Sequence, residues 1–153
     1  SDADEIPNPD HIYAVKQEHH PVVLLRMPFF YYNFRWMKKF PCHGTSCVRY
    51  KDLCGKTPQD YRDSRFTDPY INLGGWHCSF FGTPEEISLK IRSLAHDEWD
   101  HEEYYNVESI RERVEKGKDI YNRGAEEDLV SRPKHIEIPK YVSDNPEKFK
   151  HLI

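Results

Sequence analysis

The chain has no excess of basic residues: 22 lysines and arginines face 26 aspartates and glutamates, giving a formal net charge of −4 and a pI near 6.1. That balance argues against a protein that grips nucleic acid through a general basic surface. Long apolar runs are missing too. No stretch reaches the roughly 20 residues of a membrane-spanning helix. No signal-peptide pattern is visible, an absence that says little here, and any membrane attachment is expected only through segments outside this chain. Cysteine is sparse, at Cys42, Cys47, Cys54 and Cys78. Cys42-His43-x-x-x-Cys47 with Cys54 lacks the short paired spacings of a zinc framework. In a secretory compartment a Cys42–Cys47 or Cys47–Cys54 disulfide is expected, with Cys78 left as a thiol. What the chain does have is 37 % hydrophobic residues and 14 % aromatics in 153 positions, enough for the core of a single domain.

The stretch around which the chain is organised is Gly74-Gly75-Trp76-His77-Cys78-Ser79-Phe80-Phe81-Gly82, followed by Thr83-Pro84-Glu85-Glu86. Paired glycines allow a turn or a close approach of a ligand to the backbone. Thr83 with Glu86 forms a capping box and Pro84 takes the first helical position, so a helix starts here with N–H donors suited to anions. Trp76 and His77 are candidates for contact with a charged ligand. A buried turn with Trp76, Phe80 and Phe81 in the core is equally open.

At the start of the chain Asp2-Ala3-Asp4 places two carboxylates where both could turn toward one hard divalent cation, and Glu5 adds charge beside them. A solvated acidic stretch is the plain alternative.

Elsewhere the pattern is mixed. His11–Lys16 suits one or two helical turns, and the adjacent His19 and His20 read as exposed. Val22–Met27 and Phe29–Trp36, divided by Pro28, read as one broken strand or two, buried on both sides. On a regular pleat Tyr32, Phe34 and Trp36 share one face while Tyr31, Asn33 and Arg35 share the other. Tyr31, Tyr32 and Trp36 are candidates to stack on an acceptor sugar. Ser46–Tyr50 suits a further strand, and Asp60–Arg65 suggests a polar loop. Ile87, Ile91, Leu94 and Ala95 recur at helical spacing. Beyond them His96 opens an acid and imidazole cluster with Glu98, in which proton exchange is conceivable and a solvated helix end with local ion pairs is the alternative. A metal-dependent hydrolase built on that cluster would lack paired ligand spacing. Asn106 should cap a second helix that ends at Gly117. Lys118 and Arg123 follow, able to neutralise a diphosphate or simply to carry a charged loop. Asn145-Pro146 starts a short helix whose Phe149 and Leu152 can dock.

Taken together, Asp2-Ala3-Asp4-Glu5-Ile6-Pro7, Gly75-Trp76-His77-Cys78-Ser79-Phe80 and Gly117-Lys118-Asp119-Ile120-Tyr121 resemble glycosyltransferase family 17. The match runs in order to Pro139-Lys140-Tyr141 and Lys148–Ile153. The resemblance implies an α/β protein of the GT-A type, a Rossmann-like mixed sheet flanked by helices. Residues 1–153 would be the C-terminal half of one catalytic domain, starting at the Asp-x-Asp, with the nucleoside-binding half missing. It further implies inverting transfer of N-acetylglucosamine from UDP-GlcNAc to a mannose hydroxyl of an N-glycan-like acceptor in β-1,4 linkage, with Mn2+ (or Mg2+) as cofactor. Asp2 and Asp4 would hold the metal. Asp2, Asp4, Trp76, His77, Lys118 and Arg123 would hold the donor, and Glu98, His96 or His77 would be the catalytic base. The setting implied is the Golgi lumen within a membrane-anchored parent, with a cytoplasmic location as the alternative. The rival class is a non-catalytic carbohydrate-binding or adaptor fragment.

Overall fold

The structure, a computed structural model, describes residues 1–17, 20–53, 55–63, 69–93 and 101–153. In chain order the strands are β1 (Glu5–Pro7), β2 (Val22–Met27), β3 (Phe29–Tyr31), β4 (Asn33–Met37), β5 (Cys42–Val48), β6 (Tyr70–Ile71), β7 (Gly75–Ser79) and β8 (Val130–Ser131). The helices are α1 (Pro9–Val15), α2 (Pro58–Asp63), α3 (Pro84–Ser93), α4 (Glu102–Tyr105), α5 (Val107–Lys116), α6 (Lys140–Asp144) and α7 (Pro146–Phe149). This is a mixed α/β protein, as the sequence implies. The chain divides into two compact units, residues 1–29 with 40–77, and residues 30–39 with 78–153.

In the first unit β2 is the middle strand of a three-stranded sheet, antiparallel to β5 and parallel to β6. Its near-continuous apolar run is explained by that position: Val23, Leu24, Leu25 and Met27 are all buried. Strand β1 pairs antiparallel with β7, setting Glu5 opposite His77, Ile6 opposite Trp76 and Pro7 opposite Gly75. The two glycines serve this packing. A Cβ on Gly75 would stand 2.3 Å from the Ile6 carbonyl oxygen and 2.8 Å from Met27 Cε, and one on Gly74 would stand 2.6 Å from Leu25 Cβ. Both positions lie at strand contacts where only hydrogen fits, rather than at a turn opened for a ligand. Helix α1 forms as expected, with Asn8 accepting the Asp10 N–H at 3.1 Å and Pro9 in the first turn. Residues 60–63 of the loop expected over Asp60–Arg65 belong instead to helix α2, whose Tyr61 is buried and hydrogen-bonds the Asp52 and Leu53 carbonyls.

In the second unit β3 and β4 form a hairpin, with Phe30 opposite Met37 and Tyr31 opposite Asn33, and β8 pairs with β4. The break between β3 and β4 is Tyr32, at φ +68°, in the left-handed region that bulky side chains rarely adopt. It is held there by its own N–H to the Ser79 carbonyl at 3.0 Å and its hydroxyl to the Lys118 carbonyl at 2.9 Å. The pleat is therefore irregular, and the expected division of faces fails: Tyr31 is buried with Tyr32, Phe34 and Trp36. Helix α3 begins with the expected capping box, Thr83 N–H to Glu86 Oε2 at 2.7 Å and Glu86 N–H to Thr83 Oγ1 at 3.3 Å. Those bonds use donors that an anion would need. Ile87 and Ile91 face inward, while Leu94 and Ala95 lie outside the described residues. Asn106 caps α5 and Gly117 ends it at φ +65°, as the sequence indicates. Phe149 on α7 packs on Tyr141, and the Leu152 carbonyl accepts the Phe34 N–H at 2.6 Å.

Candidate functional site

The β1–β7 ladder joins two of the sequence motifs in the first unit. Because Glu5 and His77 are cross-strand neighbours, the imidazole comes to rest beside the acidic N-terminal segment. His77 Nε2 lies 3.8 Å from Asp4 Oδ2, and its Nδ1 lies 3.9 Å from Glu5 Oε1 and 3.5 Å from Cys42 Sγ. The Phe29 ring covers the imidazole at a centroid distance of 4.4 Å. The ring thus stands between carboxylates that face its opposite nitrogens. His77 belongs to a strand with its N–H on the Pro28 carbonyl at 3.1 Å, not to the turn that the glycines suggest.

Glu5 is the buried carboxylate here, its side chain 1 % exposed. Its Oε2 accepts the Asp2 N–H at 3.0 Å and the Thr45 hydroxyl at 3.1 Å, which satisfies that oxygen without water. Asp2 and Asp4, expected to share one cation, have different partners. Asp2 Oδ1 is paired with the Arg62 guanidinium from α2, whereas Asp4 turns toward His77. The segment carrying both acids enters a strand, β1, directly after Asp4.

The chemistry of these donors fits a hard divalent cation, since Asp4 offers a carboxylate oxygen and His77 a nitrogen on the same side of the ladder. Among the described residues no three His, Cys, Asp or Glu side chains converge on one point.

The other predicted residues are placed as follows. Trp76 is half-buried on β7, opposite Ile6. Tyr31, Tyr32 and Trp36, the candidates for stacking on a sugar, are core residues: Tyr31 meets Tyr32 and Phe80 edge to face, and Trp36 lies against Gly117. With their faces covered they are corrected from acceptor-binding to structural. Lys118 pairs with Asp128 at 2.5 Å, and Arg123 is bound to Asp119. Both cations have protein partners, and Arg123 serves to neutralise a buried carboxylate. His96 and Glu98 lie outside the described residues, as do His19 and Cys54.

Asp119, which the sequence offers only as part of the Gly117–Tyr121 motif, is 2 % exposed and anchors a network. Lys38 Nζ reaches its Oδ1 at 3.2 Å, the Glu127 carbonyl at 2.7 Å and Glu127 Oε2 at 3.0 Å. Burial alone would raise the Asp119 carboxyl, but the Arg123 hydrogen bonds and the Lys38 charge outweigh it and hold the group below the usual carboxylate range. Burial, reinforced by neighbouring charge, pushes the Tyr31 and Tyr32 hydroxyls up, so they stay neutral. Among the described residues no disulfide forms. Cys42 and Cys47 are at the ends of one extended strand, about 16 Å apart at the rise of a strand, against the roughly 7 Å a disulfide spans. The Cys42–Cys47 bridge is thereby excluded.

This mixed α/β scaffold brings an Asp-x-Asp segment beside a Gly-Trp-His strand, and comparison with known proteins gives the chain its family. The sequence profile of Glycosyltransferase family 17 matches residues 1–153, so the chain belongs to that family. It is similar to the beta-1,4-mannosyl-glycoprotein 4-beta-N-acetylglucosaminyltransferases of Rattus norvegicus, Mus musculus and Homo sapiens, each 28 % identical over 87 residues. Those 87 residues are 54 % of this chain and 16 % of each relative, so the matched stretch spans about a sixth of their length. No solved structure matches the chain.

Proposed function

We propose that this chain is the C-terminal part of a GT-A type catalytic domain that transfers N-acetylglucosamine from UDP-GlcNAc to a mannose hydroxyl of an N-glycan-like acceptor, with inversion to a β-1,4 linkage. The observation that carries the reading is the β1–β7 ladder, which makes neighbours of two of the motifs that carry the resemblance to the family. The activity for which the relatives are named supports the donor sugar and the mannose acceptor.

In the proposed reaction the acceptor hydroxyl oxygen forms a bond to the anomeric carbon while the bond from that carbon to the diphosphate oxygen breaks, releasing UDP. The hydroxyl proton passes to a base on the acceptor side, for which Glu98 and His96 are the candidates, with His77 as the third. A divalent cation, Mn2+ or Mg2+, would neutralise charge developing on the departing diphosphate. Asp2 and Asp4 supply carboxylates for it, and Glu5, fixed by Thr45, keeps the segment in place. Trp76 is a proposed donor contact. No described helix is long and apolar enough to cross a membrane. The proposed setting is the Golgi lumen, with anchoring through segments outside this chain.

The test is transfer by the full-length protein across a panel of UDP-sugars, with and without Mn2+. Metal-dependent transfer of N-acetylglucosamine to a mannose-terminated acceptor is the expected result, and an absence of transfer from every UDP-sugar overturns the reading.

A further inference from the structure

We propose that the cleft between α5 and the chain from Lys118 to Asp128 is a saccharide subsite, in which Ser109, Asn122 and the Lys118–Asp128 pair hold hydroxyls of the neutral acceptor glycan. Helical spacing builds one wall. Ser109, Glu112, Arg113 and Lys116 fall at i, i+3, i+4 and i+7 on α5, so they share one face, while Ile110 on the other side of the helix is buried. Gly117 ends the helix at φ +65°, and the chain beyond it returns as the second wall, lined by Lys118, Asn122 and Asp128. The cleft holds about 480 Å³. That lies within the roughly 300–1,000 Å³ of small-molecule sites.

The charges of the cleft select against an anion. Arg113 is paired with Glu103 at 3.1 Å, Lys116 with Glu112 at 2.5 Å and Lys118 with Asp128 at 2.5 Å, so each cation is already neutralised. The C-terminal carbonyls of α5 add partial negative charge at the same end. What remains is hydrogen-bonding capacity. Asp128 accepts from Lys118 at Oδ2 and from the Asp119 N–H at Oδ1, which leaves lone pairs on both oxygens. The Lys118 hydrogen bond holds the Asp128 carboxyl below the usual carboxylate range, so those acceptors persist at neutral pH. The Ser109 hydroxyl and the Asn122 amide make no hydrogen bond among the described residues, and both line the cleft. Asn122 stands at φ +52°, in the left-handed region that asparagine tolerates, with its N–H on the Asp119 carbonyl at 3.2 Å. A planar amide, a hydroxyl and an ion pair with spare donors and acceptors match sugar hydroxyls, each of which both donates and accepts. A phosphate would meet the Glu112 and Asp128 carboxylates instead. With Tyr31, Tyr32 and Trp36 in the core, these contacts give the acceptor a polar seat in place of stacked rings. The inference rests on the glycosyltransferase reading for one point only, that the saccharide is the acceptor.

The experiment titrates a neutral mannose-terminated oligosaccharide into the full-length protein by calorimetry, with and without UDP and Mn2+, and measures UDP affinity separately. Asn122→Gly deletes the amide but keeps a residue at ease at φ +52°, and Ser109→Ala deletes the hydroxyl from a helix position that alanine suits. Oligosaccharide affinity is expected to fall about tenfold in Asn122→Gly and about threefold in Ser109→Ala, with UDP affinity and melting temperature little changed. Transfer kinetics should show the acceptor KM rising in step while the donor KM stays where it was. Unchanged oligosaccharide affinity in both variants, or no oligosaccharide binding by wild type under any of these conditions, overturns the inference. So does a loss of UDP affinity in place of saccharide affinity, which would make the cleft an anion site. Transfer with an unaltered acceptor KM in both variants defeats this inference alone. Asn122-dependent oligosaccharide binding by a protein that transfers from no UDP-sugar defeats the proposed function and leaves the subsite standing.

Discussion

Arg123 grips Asp119 twice, Nη2 to Oδ1 at 2.7 Å and Nε to Oδ2 at 3.0 Å, over a carboxylate that is almost wholly removed from solvent. With Lys38 on the same carboxylate, two cations depend on one acid. Asp119→Ala is expected to cost about 2–3 kcal/mol of stability, toward the low side for a broken buried pair because Arg123 keeps part of its hydration. The folded-state pKa of Asp119 lies below its unfolded value. Its contribution is therefore present above the ordinary carboxylate range and is lost as pH falls through the lowered value. Denaturant unfolding from neutral to acid pH should show wild type losing stability below about pH 4 and the variant losing less over that range.

Asp4 and Asp2 should separate in mutation. Asp4→Asn in the full-length protein is expected to lower kcat/KM about a hundredfold or more, equivalent to ~3 kcal/mol of transition-state stabilisation, with an unchanged melting temperature. Asp2→Asn frees Arg62 from its partner and should cost distinctly less. Steady-state transfer kinetics on both variants decide it, and equal losses would mean that the two carboxylates act as one unit.

Gly75→Ala tests the ladder. The added methyl would meet the Ile6 carbonyl oxygen and the Pro7 Cα, both backbone atoms of β1, so relief requires the strand to move. A destabilisation of about 1–3 kcal/mol is expected by denaturant titration, accompanied by loss of transfer because Asp4 is carried with β1. A stable and active variant would show that this strand pairing is dispensable.

The thiols offer a fourth check. Burial pushes the Cys47 thiol up from its usual value, so its thiolate is scarce near neutral pH. Iodoacetamide labelling followed by peptide mass mapping should find Cys47 slow to react and speeding up as pH rises. The same map should contain no Cys42–Cys47 crosslink.

Local signals were read well from sequence. The capping box at Thr83 and Glu86, the Asn106 cap and Gly117 stop of α5, and the apolar run of β2 all depend on neighbours within a few positions. What stayed hidden was set at a distance. Gly74 and Gly75 read as a turn because their reason, the backbone of β1 and the Leu25 side chain, comes from elsewhere in the chain. Tyr32 breaks an apparently regular strand through bonds to Ser79 and Lys118. Arg62, Glu5 and Cys42 showed no pattern that would link them to Asp2 or His77, since no spacing encodes a cross-strand register or a helix laid across it. The motifs that carry Asp4 and His77 are neighbours in the structure, but nothing in their spacing says which atoms face each other.

The register that sets Glu5 against His77 joins positions about seventy residues apart, so the site is a product of loop closure rather than of any contiguous segment. Neither half of it can exist in a nascent or excised peptide. The approach of Asp4 to His77 would arise late in folding, after the chain between the two strands has been gathered in, and would vanish as soon as β1 frays from the edge of β7. Loss of the β1–β7 pairing should then be an earlier sign of heating than loss of helix.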